Sequence, residues 1–93
     1  MTNHTTSKTR LFEAGILVST PAANDLGIDL RPYLRRHLAG DWGDCSAEDR
    51  KENDFAIGKE LRIFSAYQTP NGKLWIITEA DRSSTCILLP SDY

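Results

Sequence analysis

The sequence predicts an α+β fold, an antiparallel sheet of about four strands with helices packed on one face. Three strand-like segments joined by turn residues fill the C-terminal third, at Leu61–Thr69, Leu74–Glu79 and Thr85–Leu89. A short apolar segment lies near the N terminus, and the region between these strands carries helix caps and helical periodicity. The predicted order of elements is therefore β-α-α-α-β-β-β.

Length and composition indicate a single small domain. The chain has 93 residues, with 40% hydrophobic and 26% charged residues, values typical of globular proteins. Residues 1–10 are predicted to form a flexible polar tail, and residues 11–93 one globular α+β domain. The tail lacks the apolar run of a signal peptide, so we expect a cytoplasmic protein that does not bind membranes.

The first predicted strand is Gly15–Thr20, and its aliphatic run at residues 16–18 is typical of a buried strand. Thr20 followed by Pro21 is a start signal for a short helix. The threonine hydroxyl can accept from the free amides of the first turn, where proline is well tolerated. Gly27 would end this helix.

The second predicted helix has the clearest amphipathic pattern in the chain. Asp29 can cap its start, and Gly40 ends it. Arg31, Arg35 and Arg36 face away from the apolar side. That apolar side is formed by Leu30, Tyr33, Leu34, His37 and Leu38.

A third helix is predicted from Ala47 to about Gly58. Ser46 followed by Asp49 resembles a capping box, and acidic residues near the start of a helix complement its dipole. The first two turns contain no apolar residue after Ala47. We therefore expect a surface helix that is held down near its end by residues 55–57.

The three C-terminal strands are predicted from alternation and turn residues. Residues 61–69 are partly apolar on both faces, which favours a central strand. The hairpin that follows is indicated by Asn71-Gly72, a strong turn signal. Residues 80–84 supply the next reversal.

Motifs of enzymes and metal sites are missing from the sequence. There is no nucleophile elbow and no phosphate-binding glycine loop. His4 and His37 have no neighbours at ligand spacing, and Cys45 and Cys86 are predicted to remain free thiols. We expect no cofactor, no metal and no enzymatic activity.

The best candidate for a binding site is the segment Gly40–Asp44. Trp42, flanked by Asp41 and Asp44, could present a rigid aromatic anchor in an acidic setting. The same residues also suit a structural role, with Gly40 ending a helix and the indole covering the core. The sequence alone favours the structural role without excluding the anchor.

A second candidate is the turn at Glu79–Ser83. Its acidic residues Glu79 and Asp81, together with Arg82, could form an acid/base pair if a pocket shifted their pKa values. A turn held by an aspartate side chain and an arginine ion pair is the competing interpretation, and the one that the sequence favours.

Charge is unevenly distributed although the formal net charge is only −2. Arg31, Arg35 and Arg36 form a basic segment that could contact nucleic-acid phosphates, or serve only solubility. The following segment, Asp41–Asp54, holds six acids against two bases. Such a stretch can imitate phosphates, but the small net charge argues against a complete nucleic-acid mimic.

Three stretches also carry a family resemblance: GDWGDCSAEDRKENDFA, RIFSAY and KLWIITEADRSSTCILLPSDY. They resemble a group of small proteins encoded on bacterial plasmids and other mobile elements, often labelled plasmid-related proteins. The resemblance covers roughly residues 34–93 and is most specific at GDWGD and WIITEADRS. It implies a genetic setting, and it transfers no functional residue.

Taken together, the sequence favours a non-enzymatic small binding protein of a mobile genetic element, for example an inhibitor of a host defence complex of the anti-restriction or anti-CRISPR type. Its partner would be a host or element-encoded protein, bound through Asp41, Trp42, Asp44, Asp81 and Arg82. One alternative is a nucleic-acid-binding or regulatory module using Arg31, Arg35 and Arg36. Another is a small enzyme with acidic residues at the Glu79–Arg82 turn.

Overall fold

A computed structural model describes residues 10–93. The predicted order of elements is confirmed, and a short 3₁₀ helix follows the last strand. Nearly all of the predicted tail, including His4, lies outside the described residues. None of the helices formed by residues 10–93 is long and apolar enough to cross a membrane. The elements are β1 (Ile16–Ser19), α1 (Pro21–Asn24), α2 (Arg31–Leu38), α3 (Ala47–Ala56), β2 (Ile63–Thr69), β3 (Gly72–Thr78), β4 (Ser84–Leu88) and the 3₁₀ helix Pro90–Asp92.

The sheet has four strands in the order β1-β4-β3-β2. Strands β2, β3 and β4 form an antiparallel meander, whereas β1 pairs with β4 in parallel. The expectation of a fully antiparallel sheet was therefore wrong for β1. The chain leaves β1, passes through the helices and enters β2 in the same direction, as in a crossover connection, and two hairpin reversals then return β4 to that direction.

Two strands occupy positions that differ from the predicted ones. All four residues of β1 are exposed, because β1 lies at an edge of the sheet with only β4 beside it. The prediction of a buried first strand was wrong. β2 was predicted to be central but occupies the opposite edge, where other parts of the chain cover it.

The cover of the β2 edge comes from the loop before α3 and from one side chain of that helix. The Ala66 amide donates to the Trp42 carbonyl at 3.2 Å, and the Asp44 amide donates to the Ala66 carbonyl at 2.6 Å. Asn53 continues this pairing, since its side chain donates to the Phe64 carbonyl at 2.6 Å and accepts from the Phe64 amide at 3.1 Å. The outward amides of Phe64 and Ala66 are thus satisfied as if a further strand lay beside β2.

The helix starts largely follow the predicted caps. The Thr20 hydroxyl accepts from the Ala23 amide, and the Ser46 hydroxyl accepts from the Asp49 amide. At α2 the prediction that Asp29 caps the helix was wrong by one residue: Leu30 holds the N-cap position, and the Asp29 carboxylate, just before it, accepts from the amide of Arg31, the first helical residue. Local hydrogen bonding was sufficient to set where these helices begin.

The attachment of α3 differs from the expectation for residues 55–57. Phe55 is 62% exposed, whereas Ala56 is 1% and Asn53 4% exposed. Neighbouring helical positions are about 100° apart, so Phe55 and Ala56 do not share one face. Asn53 and Ala56 hold α3 against β2, and Phe55 points outward.

Helices α1 and α2 cover one face of the sheet. Tyr33 of α2 packs on Tyr67 of β2, with ring centroids 5.6 Å apart. Two buried clusters result, one at the centre of the sheet and one under the loop before α3. The central cluster contains Ala23, Tyr67, Leu74, Ile76 and Ile87, and the other contains Phe12, Ala14, Leu38, Trp42, Cys45, Ala56 and Ile63.

A chain of polar side chains crosses this apolar core. His37, which is fully buried, makes hydrogen bonds with Ser65 of β2 through Nδ1 and with Thr78 of β3 through Nε2. The Thr78 hydroxyl lies 2.7 Å from that of Thr85 on β4. Thr85 in turn donates to the Ala14 carbonyl at 2.7 Å. One helix, three strands and the N-terminal segment are joined in this way.

The direction of the hydrogen bonds follows from the end of this chain. The Ala14 carbonyl can only accept, so the Thr85 hydroxyl donates to it and accepts from Thr78. Thr78 must then accept from His37, which places the imidazole proton on Nε2. The remaining nitrogen, Nδ1, accepts from the Ser65 hydroxyl. The network is complete only with a neutral imidazole.

We predict that this network makes folding stability depend on pH. Burial lowers the pKa of His37 from 6.5 to about 3, while the unfolded chain takes up a proton near the ordinary value. The stabilisation is full above about pH 6.5 and is lost as the pH falls towards the folded-state pKa, by up to about 1.4 kcal/mol per pH unit. Chemical denaturation from about pH 7 to about pH 4.5, above most carboxyl titrations, measures this slope.

His37→Gln provides the test variant, and His4→Gln is the matched control. We expect the slope to disappear in the first and to persist in the second. An unchanged slope in folded His37→Gln would contradict the assignment to His37.

Candidate functional site

Trp42, the predicted aromatic anchor, is 4% exposed. Its ring lies 6.2 Å from the ring of Phe12 and 5.9 Å from that of His37, between centroids. Its Nε1 donates to the Asp54 carboxylate at 3.0 Å. The indole fills the core at the end of α2 and offers almost no surface to a partner.

The two aspartates beside Trp42 have different environments. Asp41 accepts from the Arg36 guanidinium at 2.7 Å and from the Gly43 amide at 3.2 Å. The hydrogen bond from Arg36 is the main reason that the pKa of Asp41 is lowered. Asp44 is exposed, and within residues 10–93 its carboxylate has no ion-pair partner. Of these two acids, only Asp44 retains an uncompensated charge.

The second candidate turn is held together by its own polar groups. Asp81 accepts from the Ser83 amide at 3.0 Å, and hydrogen bonding to Ser83 lowers its pKa. Arg82 adopts a positive φ of 61°, which is uncommon for a residue with a side chain. Its guanidinium donates to the carbonyls of Ala56, Leu61, Glu79 and Ala80. Arg82 thus ties the end of α3 to the β3–β4 turn.

Glu79, Asp81 and Arg82 each interact with different partners. Glu79 lies 3.7 Å from Arg62, Asp81 caps its own turn, and Arg82 is engaged with carbonyls. An acid/base pair requires two carboxyl groups aimed at one substrate position. The observed partners give this turn a structural role.

The three arginines of α2 are mostly paired with acids of the same region. Arg31 donates twice to Asp29, at 3.0 Å each, and these hydrogen bonds lower the pKa of Asp29 to about 2. Arg36 pairs with Asp41. Among the described residues Arg35 has no such partner. A phosphate-binding face on α2 would therefore carry little free positive charge.

The structure adds a surface that the sequence analysis missed. A hollow of about 560 Å³ lies beside the outer face of α3, lined by Lys51, Glu52, Phe55, Ala56, Leu61 and Arg62. Phe55 is 62% and Leu61 46% exposed at its sides. We call the exposed residues of this region, together with Glu48 one turn earlier on the helix, the α3 surface. In the sequence, this surface could have been recognised from the helical spacing of Glu48, Glu52 and Phe55, which places them on one face of α3.

Negative charge accompanies this apolar hollow. Glu52, which lines the hollow, and Glu48 one turn earlier take part in no ion pair within residues 10–93. Arg50, a possible compensating cation, instead donates to the carbonyls of Cys45 and Gly43. The α3 surface therefore combines an exposed aromatic ring with two carboxylates that have no ion-pair partner among the described residues, and with the cations Lys51 and Arg62, of which Arg62 pairs with Glu79. The two carboxylates suit contact with basic side chains of a partner protein.

Among residues 10–93, no three His, Cys, Asp or Glu side chains lie close enough together to hold a metal ion. Cys45 and Cys86 are free, and burial raises the pKa of both thiols.

No family model matches the chain, and no significant match was found among curated proteins or solved structures.

We predict that Arg82→Lys lowers the free energy of unfolding by about 2 kcal/mol, because a single ammonium group cannot reach four carbonyls spread over two segments. Urea denaturation measures the loss. Arg35→Lys, at an exposed position of α2, should change it by less than about 0.5 kcal/mol. Equal stability of the Arg82 variant and the control would show that the carbonyl contacts contribute nothing.

Proposed function

We propose that the chain is a non-enzymatic binding protein that engages a protein partner through the α3 surface. The observation that carries this proposal is the hollow between Phe55 and Leu61, beside a helix whose Glu48 and Glu52 have no ion-pair partner among the described residues. Exposed aromatic rings beside a hollow are frequent centres of protein interfaces. Carboxylates around such a centre add specificity and speed association with a basic surface.

The chemistry of the partner follows from this surface. It would insert an aliphatic or aromatic side chain between Phe55 and Leu61 and place lysines or arginines near Glu48 and Glu52. Asp44, near the start of α3, borders a different hollow, on the side of β2 and β3. Arg82 supports the surface from behind, since it donates to the Leu61 carbonyl at 2.7 Å. Of the binding residues predicted from sequence, Arg82 thus adjoins the proposed contact.

The biological setting of the proposal comes from the sequence resemblance to proteins of plasmids and other mobile elements. In that setting the partner is a host or element-encoded protein of the cytoplasm. A host defence complex of the restriction or CRISPR type fits the chemistry, because the nucleic-acid-binding surfaces of such complexes are basic.

Nucleic-acid binding through Arg31, Arg35 and Arg36 is the competing proposal. Pairing of Arg31 with Asp29 and of Arg36 with Asp41 weighs against it. A face that binds phosphate needs free cations, and neutralised arginines release few counterions on binding.

The test is affinity capture of the tagged full chain from a nuclease-treated host lysate, followed by titration of the purified partner. We predict that Phe55→Ala weakens partner binding at least about tenfold, as expected for an aromatic anchor. Glu52→Lys should weaken partner binding more at low salt than at high salt. Leu11→Ala, which shortens an aliphatic side chain that is 48% exposed, is the control and should bind like wild type.

The outcomes separate the two proposals. A stoichiometric protein whose binding is lost in Phe55→Ala and kept in Leu11→Ala supports the α3 surface. In a parallel capture without nuclease, recovery of nucleic acid but no protein, lost when the three α2 arginines are replaced by alanine, would overturn it. Equal capture by Phe55→Ala and wild type would move the contact away from α3.

A further inference from the structure

The sheet has one covered edge and one open edge. Even-numbered residues of β1 bond to β4, as shown by the Ile16 amide, which donates to Ser83, and the Thr20 amide, which donates to Ile87. Amides alternate in direction along a strand, so those of Leu17 and Ser19 point away from the sheet. Within residues 10–93 no atom bonds to either backbone group of Leu17 or Ser19.

The side chains of β1 also favour pairing of this edge with a strand of another chain. Ile16 is 71%, Leu17 53% and Val18 46% exposed. Edge strands normally carry a charged residue, a proline or a bulge that prevents pairing with another chain. β1 has none of these, whereas the opposite edge is blocked by Asn53 and the Trp42–Asp44 loop.

We propose that β1 is a dimerisation strand, which pairs antiparallel with β1 of a second copy of this chain about a two-fold axis at Val18. In this register Leu17 lies opposite Ser19 of the second copy, and each such pair exchanges two backbone hydrogen bonds. The two-fold axis doubles this to four. All the outward amides and carbonyls of Leu17 and Ser19 would then be satisfied, in a continuous sheet of eight strands.

The surface beside β1 favours a second copy as the occupant. A hollow of about 240 Å³ lies between β1 and α2, bordered by Leu17, Ser19, Leu30 and Leu34. In the proposed register, Leu17 of the second copy stands over Ser19 and leans into this hollow, and the contact is repeated by symmetry. Arg31, which also borders the hollow, brings no bare charge because it pairs with Asp29.

The size of the contact indicates how much surface must take part. Four residues of strand cover only part of the roughly 800 Å² that each partner contributes to a standard interface. The α2 residues bordering the hollow would have to supply the remainder. Residues 1–9 are a poorer cover, since Met1 is their only apolar side chain and the edge presents three aliphatic ones.

A dimer of this form leaves the α3 surface free. β1 and α3 lie at opposite edges of the sheet, so pairing through β1 would place two α3 surfaces at the two ends of the assembly. If the proposed function holds, the protein is bivalent, and a repetitive or symmetric partner would bind with increased avidity. The dimer itself can be measured without any partner, so its test is separate from that of the proposed function.

Sedimentation equilibrium of the full chain over a wide concentration range measures the dimer. Leu17→Pro removes an amide that does not bond to β4, so the hydrogen bonds between β1 and β4 are kept. This substitution should raise the dimer dissociation constant at least tenfold. Leu17→Ala keeps the amide but loses the side chain that enters the hollow, and should have a smaller effect. Circular dichroism checks that Leu17→Pro is folded.

Disulfide trapping tests the register independently of that variant. In a Cys86→Ser background, Val18→Cys places two thiols at the two-fold axis, on strands about 4.5 Å apart between Cα atoms, within disulfide range. Ile16→Cys, on the same face and more exposed, is the control, because its two copies lie far apart in this register. We expect oxidation to yield covalent dimer with Val18→Cys and little with Ile16→Cys.

Hydrogen exchange of the Leu17 and Ser19 amides distinguishes the remaining possibilities. Dimer formation with concentration-dependent protection of these amides and selective trapping at Val18 supports the proposal. A monomer with rapidly exchanging amides overturns it, and so does a monomer with protected amides, which would show that residues 1–9 cover the edge. A dimer that Leu17→Pro leaves intact, without trapping at Val18, also overturns it.

Discussion

The fold depends on the hydrogen-bonded chain through His37 at the centre of the core. An imidazole deprived of water is tolerated there only because both of its nitrogens have partners, Ser65 and Thr78. Since Thr78 continues the chain to Thr85 and Thr85 to Ala14, the network fixes how α2, three strands and the N-terminal segment lie relative to one another. Apolar packing around it is less directional, so the polar chain supplies much of the specificity of the arrangement.

The need to satisfy backbone groups explains the contrast between the two edges of the sheet. At β2 the chain folds back on itself, and Asn53 replaces the missing neighbour with an amide that has the same donor and acceptor as a peptide group. This explains why β2 looks like a central strand in sequence although it is an edge strand. No such cover exists at β1 among the described residues. The two interaction surfaces that we propose therefore lie at opposite edges of the sheet: the α3 surface beside β2, and the dimer contact along β1.

Most of the residues that looked chemically promising in the sequence serve the fold. Trp42 fills the core, Asp41 pairs with Arg36, and Arg82 donates hydrogen bonds to carbonyls of two segments. Their polarity is used internally because loops and helix ends leave backbone groups that must be bonded. The surface that is left for a partner is formed instead by residues such as Phe55, which the sequence analysis had assigned to the interior.

The sequence by itself determined the order of elements, the starts of α1 and α3 and the meander of the last three strands. These features depend on interactions within a few residues, such as the bond from the Ala23 amide to Thr20. The parallel pairing of β1, the cover of β2, the partners of His37 and the exposure of Phe55 were decided only by the tertiary structure. Each of them depends on which distant segment lies alongside, and periodicity within one segment carries no information about that neighbour.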